Sequence, residues 1–329
     1  MSHLKKIIAG FALLCSLFSF SPSKTEESKT TKMIFGGDVM LGYFMDDFLS
    51  KGGDPFSNLE PIIKNADVAF CNLEAPFTSR GKKLEKKFNF RVPSERVKYL
   101  KEAGFDIVSL ANNHICDYGS NGLEDTLYEL DKTSISYCGA GMSVKEARKM
   151  SIIEKNGIKF AFLAYTTTQP SEMYAGEKKP GVAYANAEWI KEDVSKAKNL
   201  SDIVLVSLHS GIEKSHYPTE KQKELSRLAI DSGADIVIGH HPHVIQGIEV
   251  YNKRVIAYSL GNLVFGGSKS GKVKESILLE INFNESGIKD YEIIPIDISP
   301  KCKYQPKLLN GNEKQKALDR IKKYSEHIK

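Results

Sequence analysis

The chain has 329 residues, 41% of them hydrophobic and 26% charged, and a formal charge of only +5. This is an ordinary globular composition, which excludes a disordered chain and allows one large core or two modest ones. No aromatic-lined basic motif or zinc-finger spacing occurs, which excludes the common nucleic-acid modules and a nucleic-acid partner.

In chain order, Lys5 and Lys6 precede an apolar stretch at 7–20 that is short for a membrane span, and together they read as an export signal that does not fold with the domain. Cys15 stands at a position suited to lipid attachment, although Leu14 occupies the place where a small residue is usual. Lipidation, plain cleavage and an uncleaved anchor all stay open. Residues 21–31, rich in Ser, Thr, Lys and Glu, read as a solvated tether, so 1–31 is assigned to signal plus tether.

Strand-like runs at 33–35, 68–70, 107–110, 203–206 and 236–238 then alternate with helical stretches, the pattern of an α/β or layered α/β/β/α domain. Residues 93–104 show the unit: Pro93 and Ser94 start a helix, Val97 and Leu100 form its buried stripe, and Gly104 stops it. Apolar spacing predicts further helices over 122–132, 188–199 and 219–232. Residues 255–259, 274–283 and 288–298 read as strands with a hairpin connection at 284–287, which implies an antiparallel edge or second sheet. The tail from Asn310 carries Ala317, Leu318 and Ile321 at helical spacing and is expected to be a surface helix. The organisation is therefore one domain over 32–300 and a C-terminal tail over 301–329.

Lys82, Lys83, Lys86, Lys87 and Arg91 crowd into one stretch. It is either a solvated loop or an electropositive rim that attracts a polyanion. Cys71, Cys116, Cys138 and Cys302 have no paired spacing and read as incidental residues, although an exported compartment permits pairing.

Six polar side chains, Asp38, Glu74, Asn113, His209, His241 and His243, each stand just after a strand-like run. In an open α/β sheet ligands bind at the carboxyl ends of strands, so these six are read as the ligand set of two divalent ions. Nitrogen and oxygen donors together suit manganese, iron or zinc. Asn113 offers a neutral carbonyl oxygen, and His114 beside it is placed to protonate a leaving group rather than to ligate. In an extended segment His241 and His243 point the same way, with Pro242 stiffening the link, while alternation sends His240 to the opposite face in a supporting role. Asn112, Glu213, His216 and Asn262 are the expected substrate-side residues, against plain turn or loop roles for each.

Several motifs now align. Gly37, Asp38, Val39, Met40, Leu41 and Gly42; Asn72, Leu73 and Glu74; Ala111, Asn112, Asn113 and His114 with Asp117, Tyr118 and Gly119; His209, Gly211 and Glu213; Gly239 through His243 and Val244; and Ser259, Leu260, Gly261 and Asn262 resemble the CapA family. These are bacterial capsule synthesis proteins linked to poly-γ-glutamate, similar in turn to calcineurin-like metallophosphatases. The likeness runs over 33–267 in unbroken order.

The resemblance implies a four-layer α/β/β/α sandwich, the six residues lining a two-metal centre, and His114 near the leaving group. It implies an exported, membrane-associated or lipid-anchored protein of the cell envelope, working with membrane-bound capsule components. Its substrate would be an anionic polymer, a phosphoester or a γ-glutamyl compound, processed by metal-assisted hydrolysis or transfer. Two departures stand out: the phosphatases carry a histidine where this chain has Met40, and a bridging Asp where it has Glu74. A non-catalytic polymer-binding or assembly subunit and a general metallophosphoesterase are the alternatives.

Overall fold

The computed structural model describes residues 30–168, 170–267 and 273–328. The export signal and nearly all of the tether expected at 1–31 lie outside them. In chain order the strands are β1 (Thr31–Met40), β2 (Val68–Leu73), β3 (Ile107–Ser109), β4 (Ser136–Cys138), β5 (Ala140–Gly141), β6 (Ser151–Lys155), β7 (Ile158–Thr166) and β8 (Gly181–Val182). There follow β9 (Ile203–His209), β10 (Ile236–His240), β11 (Ile248–Tyr251), β12 (Arg254–Ala257), β13 (Asn262–Phe265), β14 (Glu275–Asn284), β15 (Gly287–Asp297) and β16 (Lys307–Leu308).

One sheet has the order β16-β15-β14-β1-β2-β3-β4, with β13 also paired to β1; the other has β11-β12-β10-β9-β7-β6, and β5 with β8 forms a small ribbon. The strands β1 to β4 run parallel, as do β7, β9, β10 and β12, so each sheet sends its strand ends toward one edge. β7 lies between β9 and β6 without having been singled out in the sequence, where 158–166 mixes Lys159 into an apolar run.

The sheets pack face to face through Phe35 and Phe70 on one side and Phe160, Phe162, Leu205 and Ile238 on the other. Phe70 and Phe162 stack at 6.1 Å. Helices α1 (Asp46–Ser50), α2 (Glu60–Lys64), α3 (Val97–Ala103) and α4 (Gly119–Thr133) precede the short α5 (Val144–Ala147). Leu100 and Leu130, from α3 and α4, share an apolar cluster with Ile34 and Val108 of the first sheet. On the far side, α6 (Ala187–Lys198) and α7 (Glu220–Asp231) bring Ile190, Val194 and Leu225 against Val204 and Val206. Helix, sheet, sheet and helix therefore form four layers, and because each sheet is covered on both faces its strands read as continuous apolar runs.

Local chemistry sets the element ends. Thr219 caps α7 in a reciprocal box with Gln222, and Gly104 ends α3 at φ +97°. β1 is longer than its apolar run suggests, because its first half pairs with β14 and its second, after a break in register at Gly36 and Gly37, with β13. The last helix, α8 (Gly311–Glu326), buries Ala317 and Ile321, and its Ser325 hydroxyl accepts from the Ile248 amide at 2.9 Å. The four cysteines are buried free thiols, and among the described residues no helix is long and apolar enough to cross a membrane.

Candidate metal centre

At the converging strand ends polar side chains replace the apolar runs. Asp38 lies in the bulged second half of β1, Glu74 is the first residue past β2, and His209 is the last of β9. Each offers an atom within 4.8 Å of the others, and all three are fully buried. The Glu74 amide donates to the Val39 carbonyl at 2.8 Å, which fixes the two carboxylates relative to each other. Asn72 ties this group together: its amide nitrogen lies 2.9 Å from Asp38 Oδ1, 3.2 Å from Glu74 Oε2 and 3.4 Å from His209 Nδ1. Asn113 comes from the turn after β3, with Oδ1 2.8 Å from His209 Nε2.

The histidine pair arrives differently from the expectation. β10 ends at His240, and His241 and His243 have φ +97° and +58°, so a left-handed turn replaces the extended segment inferred from spacing. Such angles cost a non-glycine residue about 1 kcal/mol or more and persist only where surroundings hold them. Here the His241 amide donates to Asp38 Oδ2 at 3.4 Å, and the Lys214 amide to the Pro242 carbonyl at 2.8 Å. The rings still face the centre. His241 stands 4.9 Å from the His209 ring, and His243 places Nδ1 3.3 Å from Asp38 Oδ2 and Nε2 3.6 Å from Glu74 Oε1. His240 does not turn away as alternation predicts: the extended path ends with it, and its Nδ1 lies 3.2 Å from Asp38 Oδ1, on the same carboxylate that His243 touches.

Burial alone raises the Asp38 carboxyl, but hydrogen bonds and charge from His240 and His243 hold it well below the usual range. Burial and then the Asp38 charge push Glu74 well above its ordinary value, against the pull of His243. Burial opposes protonation of His243, yet Glu74 and Asp38 carry it up to about 10. Burial and the His243 charge drive His241 down to about 3, and burial with the His241 charge pushes His209 far down. Two dry carboxylates this close resist joint ionisation unless a cation lies between them. Glu74 Oε1 and His241 Nδ1 also lack hydrogen-bond partners among the described residues. Buried polar atoms left so are costly, and this donor set of oxygens with the neutral imidazoles of His209 and His241, joined by His243 once it gives up its proton, fits a divalent cation.

His114 lies beside this group. Its Nδ1 donates to Asp117 Oδ2 at 2.7 Å, which leaves Nε2 as the outward nitrogen. Lys86 ion-pairs with the other Asp117 oxygen and bonds the Asn113 carbonyl, and its amine lies 3.3 Å from His114 Nδ1. Phe90 packs on His114 at 4.2 Å and donates its amide to Asp117 Oδ2 at 2.6 Å. Burial and the Lys86 charge lower the His114 pKa despite Asp117.

The four expected substrate-side residues part company. Asn112 is wholly buried: its amide nitrogen bonds Asn72 Oδ1 and the Leu73 carbonyl, and its Oδ1 accepts from the His114 and Ile115 amides. It shapes the loop rather than facing solvent. His216 stacks on Tyr324 of α8 at 4.6 Å, with Nδ1 2.8 Å from the Ile245 carbonyl. Asn262 Oδ1 lies 2.8 Å from His243 Nδ1 and orients that ring. Glu213 is exposed, and its charge reaches Glu74.

The sequence assigns no chemistry to Asn72 or Asp117 and reads Lys86 only as part of the basic run at 82–91. Asn72 alternates onto the same face as Glu74, and Asp117 stands one helical turn past His114, so both had a spacing signal. Lys86 had none, since only the path of its loop brings it to Asn113.

Two solved structures share the architecture: a 5'-nucleotidase precursor from Thermus thermophilus, at a TM-score of 0.51 and 14% identity, and the NAD nucleotidase of Haemophilus influenzae, at 0.51 and 15%. Each match covers 90% of this chain but only 58% and 63% of those longer proteins, and at such identity it speaks to the fold alone. Sequence relatives are nearer. The PGA biosynthesis protein CapA of Bacillus subtilis is 38% identical over 280 residues, covering 84% of this chain and 73% of the relative. The capsule biosynthesis protein CapA of Bacillus anthracis is 33% identical over 294 residues, covering 85% and 71%. Residues 32–267 match the family described as bacterial capsule synthesis protein PGA_cap, and the chain belongs to that family.

Proposed function

We propose that this protein acts at the cell envelope in synthesis or export of poly-γ-glutamate or a similar anionic polymer, as a metal-dependent hydrolase or transferase. The reading rests on one observation: Asp38, Glu74 and His209 meet in a buried cluster, and a His114–Asp117 pair stands next to it. Two divalent ions, of manganese, iron or zinc, would be held by Asp38, Glu74, Asn113, His209, His241 and His243. Bound there, such ions supply Lewis acidity toward a phosphoryl or acyl oxygen and acidify water.

The chain's own residues do the rest. Asn72 and His240 fix the Asp38 and Glu74 oxygens, so the donor set is in place before substrate arrives. Asn262 orients His243 through Nδ1 and leaves Nε2 toward Glu74. Asp117 holds His114 in the tautomer that keeps Nε2 free to give or take a proton at a leaving group. Phe90 covers the other side of that ring and limits water there.

Elemental analysis of protein purified without added metal is the first test, followed by turnover of phosphodiester and γ-glutamyl substrates. Two equivalents of metal and turnover abolished by His241→Ala support the enzyme reading. A second reading is favoured by Met40, which lies wholly in an apolar cluster beside Leu41 and Met45 and gives the Asp38 side no extra imidazole. A non-catalytic polymer-binding or assembly subunit would retain capsule function in His241→Ala. Activity on aryl phosphates without any effect on surface polymer would instead mark a general metallophosphoesterase.

A further inference from the structure

We propose that the loop 81–91 is a cationic lip beside the metal centre that grips a linear polycarboxylate, with Lys82, Lys83, Lys87 and Arg91 as its contacts. The choice of a polycarboxylate rests on the polymer reading above; the lip itself is carried by geometry.

The loop is strapped down next to His114. The Leu84 amide donates to the Asp117 carbonyl at 2.9 Å, Lys86 pairs with the Asp117 carboxylate, and the Phe90 ring lies on the imidazole. Whatever rests on the loop is thereby held within reach of the strand ends. The cations around it divide into two kinds. Arg80 is taken up by Glu124 and Asp125, and Lys86 by Asp117. Lys82, Lys83, Lys87 and Arg91 are exposed, and among the described residues none has a carboxylate within ion-pairing distance. Glu85 is the one acid in the segment. The Arg91 guanidinium lies over the Tyr118 ring at 4.4 Å, which sets it on the same rim.

A surface of one sign beside a low-dielectric cleft focuses its field and concentrates anions there. A chain with a carboxylate on every unit engages several such cations at once, so weak contacts add as effective concentration. A flat anionic membrane fits less well, because the loop is pinned against the site and the exposed aromatic Tyr43 beside it is held by the Asn89 carbonyl and the Phe90 ring, which leaves Phe88 as the one exposed aromatic of the loop itself.

The test is titration of the full chain with fluorescently labelled poly-γ-glutamate across a range of NaCl. Wild-type affinity is expected to fall with salt. The triple substitution Lys82→Gln, Lys83→Gln and Lys87→Gln is expected to weaken binding about tenfold at low salt and to flatten the salt dependence. A control triple on other elements, Lys289→Gln on β15 with Lys322→Gln and Lys323→Gln on α8, should leave the affinity unchanged. In a His241→Ala background, where turnover is lost, the lip triple should still weaken binding and flatten its salt dependence, so failure of the metal chemistry and failure of the lip give different results. An unchanged affinity in the lip triple, or an equal loss in the control, overturns the proposal. So does binding confined to phosphatidylglycerol vesicles, which would assign the loop to a membrane surface.

Discussion

Asp38 and Glu74 enter the site from the first sheet by backbone register: Glu74 hangs from the Val39 carbonyl, and the Asp38 amide donates to the Gly261 carbonyl at 3.0 Å. His241 and His243 enter from the second sheet on a turn whose φ angles no ladder imposes, held by a neighbouring loop through Lys214 and by Asn262. One half is fixed by the hydrogen-bond ladder, the other by contacts from elsewhere in the chain. The carboxylate half should therefore fail with the sheet itself, and the imidazole half with its supporting loops.

The largest effect should come where the ladder is tightest. A Cβ at Gly37 would sit 1.9 Å from the Gly261 carbonyl oxygen, a backbone atom that cannot swing aside. Gly37→Ala is expected to cost at least about 3 kcal/mol in urea unfolding of the purified protein and to strip its metal. Gly239, just before the histidines, meets the Tyr258 carbonyl at the same 1.9 Å. Gly239→Ala should cost a similar amount. A loss below about 1 kcal/mol there would show that the strand leading to the imidazole half gives way, and the two halves would then differ in their strands as well as in their turns.

The pH dependence of metal-free protein separates the two histidines of the turn. His243 is raised from 6.5 to about 10, so its contribution is full below 6.5 and is lost as pH climbs toward 10. His241 is lowered from 6.5 to about 3: below 6.5 the unfolded chain takes up a proton that the folded one refuses, so stability falls as pH drops toward 3. Melting temperature against pH should show both limbs. His243→Gln should flatten the alkaline limb and His241→Gln the acid one, judged by slope rather than height. If His243 is a ligand, loading with a divalent cation should flatten the alkaline limb as well, because a bound ion would take the place of its proton. A single limb, or limbs assigned the other way round, would break the picture of two neighbouring histidines held in opposite states.

Much of this was readable in the residues. The layered sandwich was visible because apolar runs covered on both faces are continuous, and the helix at 93–104 announced itself through Pro93, Ser94 and Gly104. Asp38, Glu74 and His209 stood out because a polar residue ends an apolar run. What stayed hidden depended on contact rather than period. Spacing two apart suggested an extended path for His241 and His243, yet the left-handed turn is set by Asp38 and Lys214, far away in sequence. His216 looked like a site residue because it follows His209 closely, but an aromatic surface on α8, more than a hundred residues later, claims its ring.

That aromatic contact gives the smallest and most discriminating test of the two halves. His216 stacks on Tyr324 at 4.6 Å and 14° between planes, and Tyr217 meets the same ring edge-on at 5.9 Å. The loop carrying them continues from His209 through Lys214, whose amide holds the Pro242 carbonyl between His241 and His243. Tyr324→Ala is expected to cost about 1 kcal/mol in urea unfolding, with a coupling of similar size to His216→Ala in a double-mutant cycle. If the imidazole half depends on that loop, Tyr324→Ala should also weaken metal binding by about twofold to threefold, well under the tenfold that about 1.4 kcal/mol would bring, because Asn262 still holds His243. The carboxylate half, resting on the β1 ladder, has no path to α8 through this loop. Metal affinity unchanged in Tyr324→Ala would mean that Asp38 and Asn262 suffice to hold the turn, and the division between a ladder-built half and a loop-supported half would then fail at its weakest joint.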